Sequence, residues 1–314
     1  MENILIDKNT WLHSSQNNKL SNNTLETELK DFHGNWKYNN LKIHPLLFNK
    51  KLDNINGLFK YDENDENVNF IINQIFPRNI FQTHKNIEFI KSNNSLNNAA
   101  ETWKKHNNFN YHFYNDEQCS EFMKTMENKF PGINEQYHRL PLNVMKADLW
   151  RYCIIYEYGG IYADTDTVLV DNPMIFMNTT AKLSVAPEHD TLHMCQWVFS
   201  APKDSPILES IIKLSLERLK NTPNIQGEHI IHYLTGPAVF TDGISNYLKN
   251  QNNNIIHENG YNEWLKNRKN GHDYLKYYGI HFFDCDDFHN NKVQHLYSGS
   301  WHDGWKNERN NKLL

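Results

Sequence analysis

The pattern of apolar and polar positions from residue 75 onward predicts strands that alternate with helices. Short apolar stretches predict strands at 78–82, 111–114, 161–163, 183–185, 197–201, 279–283 and 293–297. Longer stretches with apolar residues three or four apart predict helices at 95–106, 116–128, 142–158, 207–219 and 237–248. This order is typical of an α/β fold in which helices cover a mainly parallel sheet.

The predicted helix at 142–158 has the clearest boundaries. Its apolar residues recur at helical spacing up to Tyr156, and Gly159 and Gly160 follow directly. Glycines at this place are typical of a helix end. The next strand begins at once with Ile161, so the sequence predicts a tight turn from helix to strand.

The first 70 residues are polar and rich in Asn, with scattered aromatic residues. We predict an N-terminal extension of unknown role at 1–73, followed by one domain at 74–314. The aromatic residues favour packing against that domain over full disorder. Within the extension, Leu25 to Phe32 is interpreted as a short amphipathic helix.

Composition narrows the class of protein. Of the 314 residues, 39% are hydrophobic and 22% charged, which is typical of a soluble globular protein. The formal net charge of -5 argues against a general nucleic-acid binder, which needs excess Lys and Arg. A nucleotide remains a possible ligand because one bound metal ion can supply the local positive charge.

Cysteine spacing and hydropathy add further expectations. None of the four cysteines forms a CxxC pair, so we expect neither a zinc site nor a disulfide scaffold. No signal peptide is visible, and no window approaches the ~20 apolar residues of a membrane span. We therefore expect a soluble protein on the cytoplasmic side, with any membrane contact made through a partner or acceptor.

The most informative residues are Asp164 and Asp166, which follow the strand Ile161 to Ala163. Residues two apart in an extended chain point to the same side, and ligands of open α/β sheets bind at the carboxyl ends of strands. Two adjacent carboxylates favour a shared Mn²⁺ or Mg²⁺ ion, bound together with a diphosphate. The alternative is a polar turn after a strand.

Asp148 and Arg151 lie on one face of the helix at 142–158, because residues three apart are neighbours there. Buried charges are costly unless they are paired or bind a ligand. The pair is therefore either an internal salt bridge or part of a sugar pocket, and the two interpretations are compatible.

These residues resemble the DXD-containing sugar transferase family, whose pattern is D-x-x-R-Y, an apolar helix, then G-G-x-Y-x-D-x-D. The family includes fungal outer-chain and sphingolipid mannosyltransferases, capsular polysaccharide transferases and, distantly, the glucosylating bacterial toxins. Gln82 and Thr83 match its opening strand, whereas Phe81 and His84 stand where it usually has His and Trp. Further matches are the T-G-P turn at 235–237 and an H-x-x-x-x-S-W element at 295–301.

The resemblance spans about 75–305 and implies a GT-A type, Rossmann-like nucleotide-sugar-binding fold with Mn²⁺ or Mg²⁺ as cofactor. It implies catalytic roles for Asp148, Arg151, Asp164 and Asp166, and metal ligation by Asp164, Asp166 and His295. The substrate-binding residues that it implies are Gln82, Thr83, His84, Asp148, Arg151, Gly160, Tyr162, Asp164, Ser300 and Trp301. Asp284, Asp286 and Asp287 also follow a predicted strand, and we interpret them as a solvated strand end.

The resulting hypothesis is a retaining glycosyltransferase that moves a hexose from a UDP- or GDP-linked sugar to a glycan, lipid or protein acceptor. No catalytic base is assigned, because the leaving phosphate is thought to help deprotonate the acceptor in this family. Two alternatives remain open: a nucleotide-sugar-binding module that has lost catalysis, and a metal-dependent phosphohydrolase.

Overall fold

A computed structural model describes residues 15–21, 24–30, 36–42, 52–54, 59–61, 76–178, 181–227, 229–251 and 258–298. The strands are β1 (Ser15–Ser21), β2 (Thr24–Lys30), β3 (Trp36–Lys42), β4 (Leu52–Asn54), β5 (Phe59–Tyr61), β6 (Asn79–Thr83), β7 (Asn110–Tyr114), β8 (Gly160–Ala163), β9 (Thr167–Leu169), β10 (Leu183–Val185), β11 (Val198–Ala201), β12 (Ile280–Phe282) and β13 (Val293–His295).

The helices complete the list of elements. They are α1 (Ile87–Ser92), α2 (Asn94–Lys104), α3 (Asp116–Thr125), α4 (Ile133–Arg139), α5 (Asn143–Tyr158), α6 (Pro206–Lys220), α7 (Ile230–Leu234), α8 (Pro237–Gln251), α9 (Glu258–Lys266), α10 (His272–Tyr277) and α11 (Cys285–Asp287). Short 3₁₀ turns lie at Met126–Asn128 and Pro173–Phe176, and a π-helical turn lies at Phe288–Lys292. Within these described ranges, no helix is long and apolar enough to cross a bilayer.

The central sheet has the strand order β12-β10-β11-β8-β6-β7. β6 is parallel to both β7 and β8, and β10 is parallel to β12. β11 is antiparallel to its two neighbours, β8 and β10. The predicted α/β class with a mainly parallel sheet is confirmed, and the carboxyl ends of β6, β7 and β8 share one edge.

Helix α5 lies in the core and leads directly into β8. Apolar residues on all its faces are buried, which is typical of an internal helix. The helix ends at Gly159 (φ +67°), and Gly160 has a φ of +120°. A Cβ atom on Gly160 would lie 2.5 Å from the carbonyl oxygen of Asn79. Only glycine therefore permits the close approach of β8 to β6 at this turn.

The N-terminal segments form strands where the sequence analysis expected a helix. The prediction of a helix over Leu25 to Phe32 is wrong, because Thr24–Lys30 is the central strand of the antiparallel sheet β1-β2-β3. Leu25, Thr27 and Leu29 are buried, so one face of the strand is covered. Their spacing of two residues is the period of a strand. The domain boundary at residue 73 stays a prediction.

Candidate active site

Asp164 directly follows β8. Residues on or next to the two strands beside β8 hydrogen-bond to its backbone. Its amide donates to the carbonyl of Trp197 (2.8 Å), next to β11. Its carbonyl accepts from Nε2 of Gln82 on β6 (3.0 Å). The backbone is therefore fixed at the edge where the parallel strands end, and the carboxylate has a defined starting point.

One carboxylate oxygen of Asp164 is held by two donors. Oδ1 accepts a hydrogen bond from the Tyr162 hydroxyl and lies 3.2 Å from Nη2 of Arg151. The side chain is 25% exposed, so the carboxylate is still reached by solvent. Tyr162 is itself buried on β8. These contacts orient Asp164 and leave its other oxygen for a ligand.

Asp166 is held from the C-terminal segment. The Ser298 amide donates to its Oδ2 (3.1 Å), and the Leu296 amide donates to its carbonyl (2.8 Å). Nε2 of His295 lies 3.7 Å from Oδ1. Burial raises the pKa of Asp166, and the nearby negative charge of Asp164 raises it further. A cation between the two carboxylates would offset both effects.

One potential ligand atom from each of Asp164, Asp166 and His295 lies within 4.8 Å of the other two. The structure thus brings together the three residues that the sequence analysis assigned to a metal. Two carboxylate oxygens are ligands that suit Mn²⁺ or Mg²⁺, and an imidazole nitrogen can complete such a site. The residues fit a divalent ion, and their use as ligands stays a prediction.

Asp148 and Arg151 form the salt bridge that their helical spacing suggested. Arg151 Nη2 lies 3.0 Å from Asp148 Oδ1, and the two side chains are 5% and 2% exposed. Asp148 also accepts from Gln196 Nε2 (3.1 Å) and Thr235 Oγ1 (3.3 Å). Burial raises the pKa of Asp148 to about 6, although Arg151 and these donors favour its charged form.

Arg151 joins this salt bridge to the sheet edge. Its Nη1 donates to the Gln196 carbonyl (3.1 Å), and its guanidinium lies 4.6 Å from the centre of the Tyr162 ring. Burial acts to lower the pKa of Arg151, but the Asp164 carboxylate raises it, and the net direction is upward. Arg151 therefore supplies a fixed positive charge between Asp148 and Asp164. Its buried Nε has no hydrogen-bond partner within the described part of the chain.

The three predicted substrate-binding residues on β6 and just after it differ in what they contact. Gln82 is fully buried, and its Oε1 accepts from the Tyr111 hydroxyl (2.8 Å). Since its Nε2 supports Asp164, both ends of the amide are occupied. Thr83 Oγ1 donates to the Tyr114 carbonyl (2.8 Å), and the His84 ring stacks on Phe89. Gln82 therefore positions Asp164 in this structure, and substrate contact by these residues stays a prediction.

A cavity at the same edge contains residues that the sequence analysis missed. Its volume is about 420 Å³ including its open mouth, and its lining includes Thr83, Asp116, Asn143, Lys146 and Ala147. The missed residues lie in the first turns of α3 and α5. Asp116 follows the strand that ends at Tyr114, and this position was the signal that could have found it, because ligands bind at that edge. α5 follows another helix, so no such signal marked Asn143, Lys146 or Ala147.

The remaining predicted residues have other positions. Gly160 permits the contact between β6 and β8, and its substrate role stays a prediction. Ser300 and Trp301 lie outside the described residues. In the second acidic cluster, Asp284 caps α11 by accepting from the Asp287 amide (2.9 Å).

Comparisons with known proteins give a family match and several similar sequences. Residues 48–185 match the family described as glycosyltransferase sugar-binding region containing DXD motif. The initiation-specific alpha-1,6-mannosyltransferase of Candida albicans is 26% identical over 262 residues, which is 70% of this chain and 65% of that protein. The inositol phosphoceramide mannosyltransferase 3 of Schizosaccharomyces pombe is 41% identical over 61 residues, which is 19% of this chain and 16% of that protein.

The chain spans less than two thirds of the length of these relatives. A solved structure named PaToxG Glycosyltransferase aligns with a TM-score of 0.43 and 18% identity, covering 67% of this chain and 91% of that chain. The matched residues 48–185 include the salt-bridged helix, the double glycine and both aspartates. Through this region, the chain matches the DXD-containing family of glycosyltransferase sugar-binding regions.

Proposed function

We propose that this protein is a metal-dependent, retaining glycosyltransferase that moves a hexose from a nucleotide-sugar donor to an acceptor hydroxyl. The observation that carries the proposal is the convergence of Asp164, Asp166 and His295 within 4.8 Å at the edge where three parallel strands end. The family match of residues 48–185 supports the class of reaction. That the anomeric configuration of the donor sugar is retained is implied by the resemblance to the DXD-containing sugar transferase family.

Each group at the edge has a part in this proposal. Asp164, Asp166 and His295 would hold Mn²⁺ or Mg²⁺, which when bound supplies positive charge for the departing diphosphate. Arg151 is a second, built-in positive charge that Asp148 and Asp164 hold in place. Such preorganised charges stabilise a developing anion without having to reorient. The cavity beside Thr83, Asp116 and Asn143 is the proposed place of the nucleoside.

The names of the relatives guide the choice of sugar and acceptor. Those compared above are an alpha-1,6-mannosyltransferase and an inositol phosphoceramide mannosyltransferase. We therefore propose mannose as the first donor sugar to test, linked to GDP or UDP. The corresponding acceptor is a hydroxyl of a glycan or of a lipid headgroup.

The first test is donor turnover. Purified protein is incubated with UDP- and GDP-linked sugars in Mn²⁺, Mg²⁺ or EDTA, while nucleoside diphosphate release and sugar transfer are measured. We expect turnover of one donor that EDTA abolishes. Phosphate release without sugar transfer would favour the phosphohydrolase. Binding of a donor in a thermal-shift screen without turnover would favour the inactive module.

The matched variant is Asp166→Asn, which removes one ligand charge and keeps the size of the side chain. We expect metal-dependent turnover to fall by at least ~10²-fold, because the developing charge loses its preorganised partner. The control is Asp286→Asn, in the exposed acidic cluster at α11, which should leave turnover unchanged. Near-native turnover in Asp166→Asn would refute the assignment.

A further inference from the structure

A cluster of sulfur, nitrogen and carboxylate groups lies close to, but apart from, the candidate active site. We call Glu188, His189, Cys195, Cys285 and His289 the Cys/His cluster. The first three belong to the segment between β10 and β11, and Cys285 and His289 lie on α11 and the π-helical turn after it. The Trp197 ring contacts the rings of both His289 (5.6 Å) and His295 (4.9 Å). The cluster shares no ligand atom with Asp164 and Asp166.

Two triads in the Cys/His cluster, which share His289, have the spacing of metal ligands. His189 Nδ1 lies 3.7 Å from Cys285 Sγ, and His289 Nε2 lies 3.8 Å from Cys195 Sγ. Potential ligand atoms of His189, Cys285 and His289 all lie within 4.8 Å of one another, as do those of Glu188, Cys195 and His289. In a tetrahedral zinc site, bond lengths of about 2.3 Å to sulfur and 2.0 Å to nitrogen place these atoms about 3.5 Å apart.

Hydrogen bonding alone explains the cluster poorly. Three of its side chains converge on the Pro187 carbonyl oxygen: His289 Nε2 at 3.0 Å, Cys195 Sγ at 3.4 Å and Cys285 Sγ at 3.8 Å. A carbonyl oxygen has two lone pairs and cannot serve three donors well. A cation that binds the two thiolates removes their S–H donors, and His289 binds the same ion through Nε2 in place of its hydrogen bond to this carbonyl.

The backbone conformation at His289 is a second, independent indication of a functional site. His289 lies on the π-helical turn Phe288–Lys292. Such turns are rare and occur frequently at functional sites. The turn also leads directly into β13, which ends at His295.

We propose that His189, Cys195, Cys285 and His289 form a second cation site, of the Zn²⁺ type, that clips the segment before β11 to the segment that carries His295. Two thiolates and two neutral imidazoles are the ligand set that zinc prefers, whereas Mn²⁺ and Mg²⁺ prefer oxygen. Each cysteine releases its proton to solvent as its bond to the metal forms. Glu188 lies beside the ligands, and its Oε1 accepts from Trp197 Nε1 (2.8 Å). His189 is exposed and offers a path for entry of the ion.

The proposal is independent of the glycosyltransferase assignment and has a direct spectroscopic test. The protein is stripped of metal and reloaded with Co²⁺, and its absorption spectrum is recorded. We expect one cobalt per chain that gives the thiolate-to-cobalt charge-transfer band and the visible bands of a tetrahedral site. Excess Zn²⁺ should abolish both. Absence of the charge-transfer band in the native protein would overturn the proposal.

Variants assign the ligands. Cys195→Ala and Cys285→Ala should each weaken the charge-transfer band, and Asp166→Asn should leave it unchanged because its carboxylate belongs to the other site. Cys153→Ala is the matched control, since this buried cysteine lies on α5. A band that persists unchanged in Cys285→Ala would overturn the proposal.

His189→Ala is a variant that should keep the fold, because the His189 side chain is exposed. We expect at least a ~10-fold higher Kd for Zn²⁺ in this variant, by analogy with losses around other metal sites. We also expect Zn²⁺ to raise the Tm of the native protein and of Asp166→Asn, but much less that of His189→Ala. Equal zinc affinity and equal shifts in all three proteins would overturn the proposal.

Discussion

At the scale of single residues, the candidate site is a chain of charges in which carboxylates outnumber the single guanidinium. Asp148, Arg151 and Asp164 are joined by contacts of 3.0 and 3.2 Å, and Asp166 lies beside Asp164. Three carboxylates and one guanidinium carry a formal charge of minus two. A divalent ion matches that charge, which is why the arrangement fits Mn²⁺ or Mg²⁺.

The buried Asp148 is expected to serve the site at a cost in stability. Burial raises its pKa to about 6, above its ordinary value, so its contribution to stability is fully present at low pH. That contribution is lost as the pH rises through about 6. Asp148→Asn should therefore lack this loss, so between pH 4 and pH 7 its free energy of unfolding should fall less than that of the native protein, by up to ~3 kcal/mol. Urea denaturation between pH 4 and pH 7 measures the difference.

The same variant should lose activity. Without the Asp148 carboxylate, the Arg151 guanidinium loses one of its two anchors, and we expect donor turnover to fall by ~10²-fold, a typical cost of misplacing a catalytic group. Binding of the bare nucleoside diphosphate, followed by calorimetry, should change little. An equal loss of both would show that Asp148 has a structural role only.

Sequence reasoning located these residues because their signals are local. Asp164 and Asp166 follow one short strand, and Asp148 and Arg151 share one helical turn. The groups that hold them are distant in sequence: Gln82 reaches Asp164 across 82 positions, and Ser298 reaches Asp166 across 132. No single-sequence pattern predicts such contacts, so the supporting role of Gln82 and the lining residues Asn143 and Lys146 came only from the structure.

At the scale of elements, the turn from α5 to β8 fixes where the aspartates stand. Gly160 has a φ of +120°, and a Cβ atom there would meet the Asn79 carbonyl oxygen at 2.5 Å. Any side chain would therefore push β8 away from β6 and move Asp164, which depends on Gln82 of β6. Backbone strain and steric overlap act together at this position.

The two effects can be separated with a matched pair of variants. Gly227 has the same φ of +120°, but a Cβ atom there would meet nothing within 4 Å. Gly227→Ala should cost about 1–2 kcal/mol of unfolding free energy from backbone strain alone. Gly160→Ala should cost about 1–3 kcal/mol more, because overlap in a packed region is added. Chemical denaturation measures both, and equal costs would contradict the steric account.

Helices and strands were predictable from the sequence where their apolar residues recur with a single clear period. The helix predicted at 142–158 is Asn143–Tyr158, and the one at 207–219 is Pro206–Lys220. The N-terminal prediction failed because Leu25 to Phe32 is short, and tertiary pairing with β1 and β3 decides its conformation. The cysteine spacing likewise gave no sign that Cys195 and Cys285 lie near His289, because only the fold brings these residues together.

At the scale of the whole molecule, the candidate site combines Asp164 and Asp166, from the middle of the chain, with the C-terminal segment around β13. β13 pairs with β9, directly after Asp166, and Lys292 forms a salt bridge with Asp171 at 2.8 Å. The amides of Leu296 and Ser298 then donate to Asp166. If the sheet edge binds a metal as proposed, its affinity should therefore depend on how stably β13 is paired with β9.

This pairing predicts a change in amide hydrogen exchange on metal binding. If Asp164, Asp166 and His295 share an ion, its binding stabilises the state in which β13 is paired with β9 over states in which this pairing is broken. The stabilisation grows with the concentration of the ion. At Mn²⁺ 100-fold above its Kd, exchange of amides in 293–298 should slow by up to ~100-fold where local opening limits it. Peptides covering β12 are the internal control, since that strand lies at the far edge of the central sheet. Asp166→Asn should abolish the slowing, whereas a uniform effect on both peptides, or persistence in the variant, would place the ion elsewhere.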